Sequence, residues 1–272
     1  VRPGEFPYGG RGVGESADMK GLDYSFSRPE PARMVAEGFA FAMRYLSYTP
    51  GKNITPQERD ALFAAGLSIG LVWETYAQRP MSGYAGGRED AQAAYSQARA
   101  LGQPLDRPIY FAVDWDASES EIATVRDYLS GAASILGAER IGVYGSYRVV
   151  SVCMETGAAA WGWQTYAWSG RSIYAGAHIY QYSNGEWNGT VDFNEGRQPD
   201  IGCWPYIPTT IEEVERMGMS GFSGDFDGDG KDELVVFYDY GDAKTGVFLV
   251  AADNDYQPVR KQLLDWRQDS AE

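Results

Sequence analysis

The amino-acid sequence predicts an α/β fold, a TIM-like (β/α)8 barrel with reduced later helices, followed by a small C-terminal β-hairpin module. Three observations predict it. Eight short strand-like runs recur between residues 18 and 203, most of them separated by helical patterns. Most of the runs are continuously apolar, as strands covered on both faces are. Acids stand where several runs give way to polar turns: Asp23, Glu74, Asp114 with Asp116, and Asp192. In a parallel barrel the strand ends lie on one face, so acids distant in sequence gather there.

The elements follow in order. Gly21-Leu22-Asp23-Tyr24 is the first run, 29–37 a short helix and 39–45 a strand. Thr55-Pro-Gln-Glu58 is a capping box opening a helix to Ala65, because the hydroxyl and the carboxylate each take up an orphan backbone N–H. Residues 68–73 form a strand and 87–101 an Ala- and Gln-rich helix; 109–113 is a strand, and Ser118-Glu-Ser-Glu121 caps a helix running to about Leu136. Strands at 141–144, 160–166 and 177–182 follow, with a helix at 147–156 between the first two, and the Val191 run closes the series. Right-handed crossovers between parallel neighbours are expected throughout. An open doubly wound sheet ranks second, since no Gly-rich phosphate loop follows the first run.

Composition narrows the partners. A net charge of -15 and a pI near 4.5 argue against nucleic acid or an anionic membrane surface. No run approaches the roughly 20 apolar residues of a membrane span. Aromatic residues make up 14% of the chain, enough both to fill a core and to wall a sugar-binding cleft. Trp73, Trp115, Tyr144, Gln164, Tyr166, Gln181 and Tyr182 lie near strand ends and are the candidate substrate-facing side chains. The lone His178 has no Cys or His neighbour at ligand spacing and reads as structural. No Gly-x-Ser-x-Gly elbow is present, which sets aside a Ser-His-Asp hydrolase.

The strings Gly21-Leu-Asp-Tyr-Ser25, Ile109-Tyr-Phe-Ala-Val-Asp-Trp-Asp116, Gly142-Val-Tyr-Gly-Ser-Tyr147, Ile179-Tyr-Gln-Tyr182 and Val191-Asp-Phe-Asn194 resemble bacterial glycoside-hydrolase-like domains related to the family 25 muramidases. The resemblance implies a barrel acting on peptidoglycan or a related cell-envelope glycan, secreted or held at the cell surface. It matches Asp23 and Asp192 to the family's first and last acids. The middle pair departs from the pattern: Asp114-Trp-Asp116 stands where the muramidases carry Asp-x-Glu. Val72-Trp-Glu-Thr75 also resembles the group, and places Glu74 toward the same pocket. Glycoside cleavage needs one protonated carboxylic acid and one carboxylate. Glu74 or Asp114 is the candidate acid, Asp116 or Asp192 the stabilising carboxylate, and Asp23 the orienting group. The alternatives are a barrel that binds wall glycans without cutting them and a calcium-organised adhesion protein.

After Cys203 the texture changes. Trp204-Pro-Tyr-Ile-Pro208 reads as a linker, and Asp225-Phe-Asp227-Gly-Asp229-Gly-Lys231-Asp-Glu233 has the alternating acids and sharp-turn Gly of a calcium loop. Val236 stands at position twelve and a strand follows, so this is no EF-hand. The string resembles an FG-GAP or VCBS repeat, which implies Ca2+ held by Asp225, Asp227, Asp229, the Lys231 carbonyl and Glu233, in a structural role. Strands at 234–240 and 246–251 would form the hairpin. The expected organisation is an N-terminal arm at 1–17, the barrel at 18–203, a linker at 204–219 and the calcium module at 220–272. Cys153 and Cys203 form either one disulfide, the favoured reading for an oxidising compartment, or two buried thiols.

Overall fold

The structure, a computed structural model, describes residues 19–205 and, as backbone only, 220–224, 233–239 and 245–250. Eight strands close into a barrel in sequence order: β1 (Met19–Tyr24), β2 (Phe39–Leu46), β3 (Ser68–Trp73), β4 (Ile109–Ala112), β5 (Ile141–Gly145), β6 (Trp161–Thr165), β7 (Ile179–Gly185) and β8 (Val191–Gly196). Helices α1 (Pro31–Ala36), α2 (Pro56–Ala64), α3 (Gly83–Ala100), α4 (Glu119–Leu136) and α5 (Tyr147–Glu155) connect the earlier strands. Between β6 and β7 no helix intervenes, and between β7 and β8 stands only the four-residue turn Glu186–Gly189, as the reduced later helices predict.

The strands do not all run parallel. β8 pairs antiparallel with both β7 and β1, against the expectation of an all-parallel wall. The cause is length: only Glu186–Gly189 and Thr190 separate β7 from β8, far short of the dozen or so residues a parallel crossover needs. The reversal leaves the site on one face, because the start of β8 lies level with the C-terminal end of β1, where Asp192 is the register partner of Asp23.

Alternation along the strands sorts the side chains into two cores. Ile69, Leu71, Trp73, Ile109, Phe111, Val113, Ile141 and Val143 belong to the layer between wall and helices. Phe41, Met43, Val72, Tyr110, Ala112, Trp163 and Ile179 fill the barrel lumen. The lumen is tight enough to require glycine at its narrow points: a Cβ on Gly21 would stand 2.1 Å from Phe41, and one on Gly70 2.3 Å from the Met43 sulfur. Beyond β8 the chain closes the base of the barrel, with Tyr110 Oη donating to the Ile201 carbonyl at 2.9 Å and Trp204 exchanging backbone bonds of 2.8 and 2.9 Å with Ile69.

The caps behave as their chemistry dictates. Ser118 N–H donates to Glu121 Oε2 at 2.7 Å, closing the box that starts α4. At α2 the Thr55 hydroxyl accepts the Glu58 N–H at 3.2 Å, but Glu58 itself turns to the buried Arg44, 2.6 Å away. The charge pairing outcompetes the reciprocal cap.

The expected disulfide is absent. Cys153 and Cys203 are both free and buried. Cys153 sits on α5 in the layer outside the wall, whereas Cys203 packs in the lumen core, 4.0 Å from the Met43 sulfur. The wall of strands stands between the two cores. At the C-terminal end, β9 (Ser220–Gly224), β10 (Glu233–Asp239) and β11 (Thr245–Val250) form a three-stranded antiparallel sheet with β10 central, one strand more than the expected hairpin. The arm at 1–17, most of the linker and the loop residues Asp225, Asp227, Asp229 and Lys231 lie outside the described residues; Glu233 begins β10.

Candidate active site

A pocket of about 90 Å³ opens in the barrel, lined by Tyr45, Val72, Glu74, Ala112, Asp114, Tyr144, Trp163, Gln181 and Asp192. The strand period explains the lining. On β4 the inward positions are Tyr110 and Ala112, and the next inward step is Asp114; on β3 they are Gly70 and Val72, and the next is Glu74. The acids thus continue the inward row past the last strand residue, where the lumen meets solvent.

Asp23 lies behind the lining, 1% exposed, and receives three donors: the Tyr45 hydroxyl at 3.1 Å, Gln181 Nε2 at 2.9 Å and Asn194 Nδ2 at 2.8 Å. Burial lifts its carboxyl from 3.8 to about 7, with the Asp192 charge adding to the rise and the three donors opposing it. Asp192 accepts the Gly185 N–H at 2.8 Å and Gln181 Nε2 at 3.4 Å; burial raises it, and the Gly185 bond holds it back. Gln181 is the hub. Its carbonyl oxygen accepts Tyr144 Oη at 3.0 Å and Thr165 Oγ1 at 2.8 Å, which fixes its amide toward the two aspartates. Trp163 Nε1 orients Asn194 in the same way, at 2.8 Å from Oδ1.

Glu74 and Asp114 stand at the ends of adjacent strands. Burial raises both, and the Lys52 ammonium draws both back down. Lys52 Nζ is 3.1 Å from Glu74 Oε1 and 4.8 Å over the Tyr45 ring. Among the described residues no hydrogen bond or ion pair engages the Asp114 carboxyl, so it meets the pocket with its proton-binding oxygens available.

The structure therefore gathers Asp23, Glu74, Asp114, Asp192, Tyr144 and Gln181, and leaves the other expected residues elsewhere. Asp116 is exposed in the turn before α4, outside the lining. Trp73 is buried in the outer layer, edge-on to Tyr48 at 5.1 Å, and Trp115 packs against that same layer. Gln164 faces out of the barrel and clamps the β6–β7 loop, donating to the Ser172 carbonyl at 2.7 Å and accepting the Tyr174 N–H at 2.8 Å. Tyr166 and Tyr182 are exposed off the pocket; Tyr166 donates to Asn184 at 2.6 Å, and Tyr182 stands against Phe193 at the bulge of β7. His178 is structural: its Nδ1 accepts the Gly162 N–H at 3.2 Å. Sequence reasoning missed Tyr45, Lys52 and Asn194. Asn194 had a signal, since it shares the parity of Asp192 on β8, and Tyr45 had a weaker one, since it shares the parity of the lumen residues Phe41 and Met43 on β2; Lys52 had none, because it comes from a loop.

A closed barrel with paired carboxylates ringing a pocket at one end is the architecture of a glycoside-hydrolase-like domain. The chain belongs to the family described as the Rv2525c-like, glycoside hydrolase-like domain, whose profile matches residues 32–196, and residues 217–254 match the FG-GAP repeat. A Mycobacterium tuberculosis protein named "Putative peptidoglycan hydrolase Rv2525c" is 27% identical over 203 residues, 67% of this chain and 82% of that protein. The crystal structure of that Tat-secreted protein with L-tartrate superposes with a TM-score of 0.65 at 24% identity, over 69% of this chain and 100% of that one. The "Uncharacterized protein FadG" of Bacillus subtilis is 29% identical over 135 residues, 45% of this chain; the match spans only 23% of FadG's length. The modular autolysin LytC of Streptococcus pneumoniae, solved with a synthetic peptidoglycan ligand, shares the fold at a TM-score of 0.52 and 16% identity, over 67% of this chain and 47% of its own.

Proposed function

We propose that the barrel is a secreted glycoside hydrolase that cleaves peptidoglycan or a related cell-envelope glycan. The observation that carries this reading is the convergence of Glu74, Asp114 and Asp192 on one pocket, with Asp23 buried behind them and lifted to about 7. Such an arrangement keeps one carboxyl protonated beside one that is ionised, the division of labour glycoside cleavage needs. Rv2525c, by its name and its secretion, supports the substrate class and the compartment.

Asp114 is the proton donor in this reading, since burial raises it against the pull of the Lys52 charge and no hydrogen bond or ion pair among the described residues engages its carboxyl. It protonates the glycosidic oxygen as the bond to the anomeric carbon breaks. Asp192, held by the Gly185 N–H, stabilises the positive charge that develops on the sugar. Asp23 acts through Tyr45, Gln181 and Asn194, which it locks in place. Trp163 and Tyr144 supply apolar surface for the sugar ring.

The test is incubation with purified wall glycan, followed by counting new reducing ends and weighing the fragments by mass spectrometry. New reducing ends from wild type, absent with Asp114→Asn, support the reading. A second reading, glycan binding without cleavage, draws on Asp114-Trp-Asp116 standing where the family 25 muramidases that the sequence resembles carry Asp-x-Glu. It predicts that wild type pellets with walls and releases nothing.

For the C-terminal segment we infer a structural Ca2+ held by Asp225, Asp227, Asp229, the Lys231 carbonyl and Glu233, in a module at 220–272 joined to the barrel by a linker at 204–219. Hard oxygen donors alternating around a glycine turn are suited to that ion. Calcium titration by calorimetry against Asp227→Asn checks it: binding by wild type alone is expected, and equal heats from both would end the inference.

A further inference from the structure

We propose that Lys52 is a positioning residue for this pocket: carried in by a pinned loop between β2 and α2, its ammonium fixes Glu74 as the carboxylate and so leaves proton donation to Asp114. The proposal rests on the glycan-cleaving reading above and deepens it by breaking the symmetry between two buried acids.

Two carboxyls at the ends of neighbouring strands repel, and one of them gives way by holding its proton. Burial alone does not choose which. Lys52 chooses, because its Nζ lies 3.1 Å from Glu74 Oε1. A lysine only 8% exposed is uncommon without a partner, and this one has the carboxylate on one side and the Tyr45 ring face on another. The charged and titratable groups around it are Glu74 from β3, Asp114 after β4, Tyr45 from β2 with Asp23 hydrogen-bonded behind it, and Asp192 from β8 in the same pocket. Arg44, whose Nη2 reaches the Lys52 carbonyl at 3.4 Å, is already paired with Glu58.

The loop is built to hold that ammonium still. Asn53 donates to the Ser47 carbonyl at 2.8 Å and to Gln97 Oε1 at 3.1 Å, and Gln97 Nε2 donates back to the Ser47 carbonyl at 2.9 Å. Arg28 donates to the Gly51 and Asn53 carbonyls at 2.8 and 3.0 Å. Gly51, at φ +82°, makes the left-handed turn that delivers Lys52. Ties from α3 and from the β1–α1 loop thus converge on the residues flanking one lysine. An ammonium present only to neutralise surface charge has no use for them.

The test follows each carboxyl separately. Site-resolved ¹³C NMR titration of Glu74 and Asp114 in the full chain is compared between wild type, Lys52→Met and Lys52→Arg, alongside the pH profile of kcat/KM on wall glycan. In Lys52→Met the Glu74 midpoint moves to higher pH and the pH profile of kcat/KM changes with it; Lys52→Arg keeps both near wild type. A Glu74 midpoint unchanged in a folded Lys52→Met overturns the proposal. If Lys52→Met does not fold, Asn53→Ala retains the charge and cuts the loop's ties to Ser47 and Gln97; it moves the Glu74 midpoint the same way by less, and no movement overturns the proposal equally. A wild type that cleaves no glycan at any pH removes Asp114's donor role and the cleavage reading together, while the Glu74 midpoints still decide whether Lys52 fixes that carboxylate.

Discussion

Replacing Asp192 by Asn takes away the second of the two causes that lift Asp23. The native carboxyl of Asp23 rises from 3.8 to about 7 through burial first and the Asp192 charge second. A folded-state value above the unfolded one means the native state holds the proton more tightly. Its contribution is therefore complete below about pH 4 and is lost as pH climbs toward 7. A rise of about 3 units at about 1.4 kcal/mol each gives a pH-dependent loss of about 4 kcal/mol, as an upper figure for a fully buried group. Asp192 is itself raised by burial, so its own titration has the same sign. Asp192→Asn removes that titration and part of the push on Asp23, while an amide oxygen can still accept the Gly185 N–H at the 2.8 Å position. Urea unfolding from pH 4 to pH 8 at fixed ionic strength is the assay. The gap between Asp192→Asn and wild type widens in the variant's favour as pH rises. Parallel curves for Asp192→Asn and wild type would refute the coupling.

Asp116 is exposed and outside the pocket lining, so Asp116→Asn keeps wall-glycan cleavage within about twofold of wild type, whereas loss of a general acid costs about a hundredfold or more in kcat. Gly21→Ala drives a methyl to 2.1 Å from the Phe41 ring and lowers stability by about 1–3 kcal/mol, read as a lower urea midpoint at unchanged m-value. Both cysteines are free and buried, so thiol titration finds two reactive groups in denaturant and none in the native protein, and adding a reductant leaves the melting temperature in place.

Much of the fold was legible because apolar runs, helix caps and their spacing are local. The Thr55 cap, the capping box at Ser118, the strand at 68–73 and the closing of eight runs into a barrel all rest on such signals. The antiparallel β8 was legible too, though it takes counting: the few residues between Gly185 and Val191 cannot carry a parallel crossover. The site divides along strand parity. With Asp23, Glu74 and Asp114 inward, Trp73 and Trp115 must face outward, and with Gln181 inward Tyr182 cannot share the pocket. Tyr144 and Gln181 obey that rule and line the pocket; proximity to a strand end alone does not decide orientation. Asp116 shares the parity of Asp114 but lies past the strand, where the turn into α4 ends the alternation. Lys52 was out of reach, since its place depends on a turn at Gly51 and on ties to Arg28 and Gln97 that no periodicity encodes.

The most direct test is the rate of reducing-end release from purified peptidoglycan by wild type and by Asp114→Asn, both shown folded by matching melting curves. Release by wild type, reduced about a hundredfold or more in the variant, is the predicted result. Equal rates would take the proton-donor role from Asp114, and no release by a folded wild type across pH 4 to 8 would contradict the account of the pocket as a place where glycosidic bonds are broken.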